Sequence, residues 1–153
     1  MSFKILPNVG WMSLIPIALS IGGAKTGWPG VLASPIAMID SGGGPMFLSD
    51  PNGVIYSSPG HNAAVSPGWI SSSTNCECIR DSISVELGDG SQTITYVVDA
   101  ARMPASVAGL TLVMCEDNHY MMGQNGMNIG GISFLFITVV IDYMNKRVCL
   151  KPI

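Results

Sequence analysis

The chain has 153 residues, of which 48% are apolar and only 11% charged, with a formal net charge of −3. That length holds one domain with a sizeable core. Lys and Arg stand singly apart from Lys146-Arg147, so no basic face forms for a phosphate backbone and nucleic acid is excluded as a partner. No apolar run reaches the ~20 residues that a membrane-spanning helix needs, which excludes a membrane partner of that kind.

With 18 Gly, 10 Pro and abundant Ser and Thr, the composition is that of short strands joined by turns, an all-β class. The first segment, "MSFKILPNVGWMSLIPIALSIGGA", has the lysine, apolar stretch and small residues of a signal peptide. Pro7, Asn8 and Gly10 interrupt it and Pro16 splits its apolar part, so strand–turn–strand is the expectation. Within it "WMSLIPIALSIGG" (11–23) reads as a strand entering a Gly-Gly turn, and "PIAMID" (35–40) as a short buried strand that delivers Asp40 to a glycine turn. "PMFLSDPNGVIYS" (45–57) carries a Pro-Asn-Gly hairpin signal at 51–53. Residues 57–75 read as a loop with a short helix around His61–Val65.

The clearest element is "DSISVELGDGSQTITYVVD" (81–99). Ile83, Val85 and Leu87 alternate with polar residues, Asp89-Gly90 turns the chain, and Ile94, Tyr96 and Val98 alternate back. "LTLVMC" (110–115) is a further strand. "GISFLFITVVI" (131–141), rich in branched and aromatic residues, predicts a fully buried strand pair or one long core strand. "KRVCLKPI" (146–153) closes the chain as a strand.

Four cysteines, Cys76, Cys78, Cys115 and Cys149, allow three full pairings, among which sequence does not choose. The C-x-C at 76–78 is too tight for a C-x-x-C zinc or redox motif, and no histidine is suitably spaced. The cysteines point to a disulfide in an exported, extracellular protein rather than to a metal site. Neither a metal nor a cofactor is implied.

"MIDSGGGPMFLSD" (38–50) holds an acid, a hydroxyl and three consecutive glycines behind an apolar run. Ser41 is not the nucleophile of a chymotrypsin-like site: that order is His, Asp, Ser, and both His61 and His119 follow Ser41. An apolar pair followed by Asp-Ser-Gly suits a different chemistry, in which two buried turns bring two carboxylates together to share one proton. The ionised member activates water while the protonated one polarises the scissile carbonyl.

"NIGGISFLFITVVIDYMNKRVCLKPI" (128–153) resembles the closing segment of the pepsin-like aspartic peptidase family. There an apolar-Gly strand precedes an apolar-Asp turn, then Asn-(Lys/Arg)-Arg-(Ile/Val) and a last strand. "WMSLIPIALSIGG" is similar to that family's strand and Gly turn ahead of its second Asp motif. The resemblance runs from about residue 11 to 153 and covers the family's carboxyl-terminal lobe only.

The resemblance implies a single lobe, residues 1–153, of the pepsin-like double-ψ β-barrel type with at most short helices. Asp40 would be its catalytic carboxylate, Ser41 the hydroxyl that braces two such turns, and Gly42 the third residue of the motif. Ile129-Gly130 would pack beside the Asp turn in a ψ-shaped crossover. It also implies a disulfide from Cys76 or Cys78 to Cys115, and makes Cys149 a buried thiol in the last strand. The family's position three after the aspartate is usually Ser or Thr and donates to the carboxylate; here it is Gly43, a loss worth about 1–3 kcal/mol.

The chain holds one Asp-Ser-Gly and no recognisable flap, so a dyad needs a second pepsin-like lobe, in a homo- or heterodimer, to act on a peptide. The alternative is a disabled lobe that binds a protein or a glycan, or acts as an inhibitor. Other polar residues read blandly. His61 falls in a surface loop, Met121 and Met122 beside His119 fill gaps in a wall, Asp142 is a turn residue, and Asp99 and Glu86 are surface charges on strand faces.

Overall fold

A computed structural model describes residues 1–7, 13–21, 24–27, 36–42, 44, 46–49, 63–64, 76–107, 109–115 and 126–153. In chain order the strands are β1 (Ser2–Lys4), β2 (Ser13–Ile21), β3 (Ala24–Gly27), β4 (Ile36–Ile39), β5 (Met46–Ser49), β6 (Ala63–Ala64), β7 (Cys76–Ile79), β8 (Ile83–Gly88), β9 (Thr93–Val98), β10 (Leu112–Cys115), β11 (Gly126–Ile129), β12 (Ile137–Asp142) and β13 (Arg147–Pro152). Helix is confined, among the described residues, to short 3-10 segments such as Ala100–Arg102 and Gly131–Leu135. The protein is therefore all-β. No helix among the described residues is long and apolar enough to cross a membrane.

Ten strands form one curled mixed sheet in the order β6-β7-β10-β5-β11-β4-β2-β8-β9, with β3 paired to β2, and three form a second sheet, β1-β13-β12. The core lies where the two sheets face each other. Phe3, Leu14, Leu19, Ile83, Val85, Leu87, Tyr96, Val98, Val148 and Leu150 belong to one buried cluster. Strand alternation delivers these side chains: β9 runs exposed–buried over its length, with Ile94, Tyr96 and Val98 inside.

The β8–β9 hairpin matches its sequence pattern. Gly88 pairs with Thr93, so residues 89–92 form the loop, with Gly90 at φ +91°. Asp89 organises it: its side chain accepts from Ser91 N–H at 3.0 Å, Ser91 Oγ at 2.8 Å, Gln92 N–H at 3.2 Å and, from β1, Lys4 N–H at 2.9 Å. These donors, the Lys4 N–H foremost, hold its carboxyl well below the usual carboxylate range. Arg147 of β13 clamps β1 from the other side through Ser2 Oγ and Ser2 carbonyl, both at 2.6 Å.

Three expectations are corrected. Residues 131–141 are not a buried strand: Gly131–Leu135 is a 3-10 segment, and β12 after it alternates, with Thr138 and Val140 exposed. Ser133 in the 3-10 segment receives a 3.3 Å hydrogen bond from the buried Tyr96 hydroxyl, and a polar anchor of this kind favours a local turn over a continuous strand. Ala63–Ala64 is a strand paired with β7, where a helix was expected around 61–65. Cys149 is exposed, because Val148 and Leu150 take the inward positions of β13. The expected turns at 22–23 and 51–53 lie outside the described residues.

Candidate functional site

Asp40 directly follows β4, a four-residue strand buried at every position. β11 runs parallel to β4 with Ile129 opposite Ile39, and Asp40 N–H donates to the Ile129 carbonyl at 3.1 Å, extending the ladder by one residue. β11 also pairs antiparallel with β5, so it lies between β4 and β5, the two strands that the turn at 40–45 connects. The approach of β11 to β4 is close enough to demand glycine. A Cβ on Gly126, which sits at φ +121°, would lie 2.1 Å from the Ile36 carbonyl oxygen.

Among the described residues, each oxygen of Asp40 accepts one hydrogen bond. Gly42 N–H donates to Oδ1 at 3.0 Å and Asn128 Nδ2 donates to Oδ2 at 3.0 Å. The first bond closes an Asx-type turn within the motif. The second comes from 88 residues away, and nothing in the local sequence announced it. Asn128 sits opposite Met38 in the β4–β11 register, so its side chain emerges on the face where Asp40 follows two residues later.

Asp40 is half-buried, while Ser41, Gly42 and Gly44 are exposed. Ser41 borders a groove of about 430 Å³ whose other walls are Ile39, Phe134, Ile137, Thr138, Val139 and Ile141. The groove runs along β12, which pairs with β13 on one side and ends its sheet on the other. Of the three motif residues, Ser41 is the one that borders this groove. Gly42 contributes its N–H rather than its lack of a side chain, since a Cβ there would meet Asp40 Oδ1 at an ordinary 3.4 Å.

No group of three or more His, Cys, Asp or Glu side chains gathers into a metal site among the described residues. Asp142 caps its own turn, accepting from Asn145 Nδ2 at 2.7 Å and Asn145 N–H at 3.1 Å, and these bonds hold its carboxyl below the usual range. Asp99 is not on a strand face as expected: it caps the Ala100–Arg102 segment by accepting from Ala101 N–H. Gly43, His61, His119, Met121 and Met122 lie outside the described residues. The register sets Cys76 opposite Cys115 across β7 and β10, while Cys78 is opposite Val113. No protein-family profile matches this chain, and no curated protein sequence matches it significantly.

Proposed function

We propose that this protein is one lobe of a pepsin-like aspartic endopeptidase, secreted, with Asp40 as one of two carboxylates that activate water. The observation that carries the reading is the placement of Asp40: a half-buried acid at the end of β4, beside β11, with one donor on each oxygen among the described residues, followed by Ser41 at the border of an apolar groove. A carboxylate offers about four acceptor sites, and among the described residues two donors reach Asp40, one on each oxygen.

Asp40 is one acid and the reaction needs two, so a second lobe supplies the other. A second copy of this chain or a sister lobe fits along the unpaired side of β12, where exposed Val140 and the groove present apolar surface. In the paired state the ionised carboxylate takes a proton from water as its oxygen bonds the scissile carbonyl carbon. The protonated carboxyl donates to the carbonyl oxygen, and proton transfer to the amide nitrogen then breaks the C–N bond to leave a carboxylic acid and an amine. A Cys76–Cys115 disulfide belongs to the same reading. Directly opposed residues of antiparallel strands lie about 4.5–5.5 Å apart at Cα, within disulfide reach, and closing a loop of roughly 40 residues contributes about 4 kcal/mol in the chain-entropy model.

The test is cleavage of a peptide mixture between about pH 2 and 6, the range of carboxylate titration, by the self-associated chain or by the chain with a co-purifying lobe. Cutting that Asp40→Asn abolishes, with the fold and assembly retained, is the expected result. No cutting under any of these conditions refutes the reading. The single Asp-Ser-Gly and the glycine at position 43 favour a second reading, a disabled lobe that binds a protein or glycan. Activity found only in Gly43→Ser would establish it.

A further inference from the structure

Asn128 is out of place by packing alone. Across the sheet it stands in a lateral row, between Met38 of β4 and Phe47 of β5, with Ser13 and Val113 beyond them. All five are buried, on the face of the sheet turned away from the main core cluster. An apolar residue between Met38 and Phe47 would bury at no polar cost. Asn128 is only 4% exposed, and its Oδ1 has no hydrogen-bond partner among the described residues. An unmatched buried amide oxygen is destabilising. What the amide makes is the 3.0 Å bond to Asp40 Oδ2.

That bond has a direction. With the amide reversed, Oδ1 would face a carboxyl oxygen and the contact would be repulsive, so the amide is held as the donor. Hydrogen bonds to a charged acceptor are about twice as strong as neutral ones. Together with Gly42 N–H on the other oxygen, the amide restrains both ends of the carboxylate, one from the turn and one from β11. The residues that the turn and β11 bring to Asp40, namely Ser41, Gly42, Asn128 and Ile129, carry no ionisable side chain.

We propose that Asn128 is the positioning residue of Asp40: its buried amide fixes the carboxylate plane from β11. This deepens the reading of Asp40 as an acid/base group and rests on it for its purpose, but its test does not require catalysis. The carboxyl carbon of Asp40 and the side-chain amide of Asn128 are followed by NMR through an acid titration of the full chain. The Asn128 amide signal is expected to titrate with the same midpoint as the Asp40 carboxyl, and that coupling is expected to vanish in Asp40→Ala. In Asn128→Leu the Asp40 carboxyl carbon is expected to shift and its side chain to sample more than one rotamer. Where the paired lobe cuts peptide, the same variant is expected to lose kcat about tenfold with KM unchanged.

An Asn128 amide signal that ignores the Asp40 titration overturns the proposal, and this measurement needs no folded variant. An Asn128→Leu protein that melts lower while the Asp40 side chain keeps one rotamer also overturns it, since that is the signature of packing alone. A shared titration in a protein that cuts no peptide supports the positioning role and counts against the peptidase reading only.

Discussion

Asp40 and Asp89 both end a strand and enter a glycine-containing turn, yet they are held in different ways. Asp89 accepts four hydrogen bonds, three from its own loop and one from Lys4 of β1. Asp40 accepts two among the described residues, one from its turn and one from a distant strand. The saturated carboxylate at 89 is committed to structure: it shapes the β8–β9 loop and ties β1 to it. The carboxylate at 40 takes fewer donors among the described residues, and its neighbour Ser41 borders an apolar groove. The count and origin of the donors, more than the turn sequence, separate the two acids: one fastens its loop to β1, the other joins its turn to β11.

The largest expected effect breaks the Asp40 side of this contrast. Gly126→Ala forces a Cβ into the Ile36 carbonyl and parts β11 from β4, removing the strand that presents Asn128. A loss of roughly 3 kcal/mol or more, or failure to fold, is expected in denaturant unfolding, because both the clash and the positive φ oppose it. A mild loss, well under 1 kcal/mol, would mean that the strands separate at little cost.

Next comes a crossed pair of substitutions. Asp89→Ala is expected to lose about 1–2 kcal/mol of stability, as capping residues do, without changing peptide cleavage. Asp40→Asn is expected to lose cleavage with little change in melting temperature. Swapped outcomes would reverse the two assignments.

Acid titration of stability sharpens the contrast further. The folded-state pKa of Asp89 is depressed, so its contribution is fully present above the ~3.9 of an unfolded aspartate and is lost as pH falls toward the folded value. The stability gap between wild type and Asp89→Ala is therefore expected to be constant at pH 5–7 and to narrow below about pH 4. A gap that stays constant down to pH 2 would show that the Asp89 contribution does not depend on its charge. The smallest effect concerns Cys149, whose exposed thiol is expected to react with an alkylating reagent in the native protein before buried Cys78. Protection of Cys149 would place β13 in the opposite register.

Local signals carried part of the fold. Alternation at Ile83–Leu87 and Ile94–Val98 around Asp89-Gly90 yields the β8–β9 hairpin, since period and turn chemistry are properties of neighbouring residues. The apolar run ending in Asp40 yields β4 and the turn after it for the same reason. The stretch at 131–141 shows the limit: a short branched and aromatic run has no period that separates a strand from a buried turn. There Ser133 under Tyr96, a contact from another part of the chain, accompanies the 3-10 segment.

By itself, then, the sequence determined an all-β chain, the β8–β9 hairpin, and an aspartate delivered to a glycine turn. Only the tertiary structure decided that β11 passes between β4 and β5, that Cys76 faces Cys115 in register, and that Asn128 reaches Asp40. Those outcomes depend on which strands pair and in what register. Pairing is selected by burial and close approach between segments dozens of residues apart, and a one-residue slip would turn Asn128 to the opposite face.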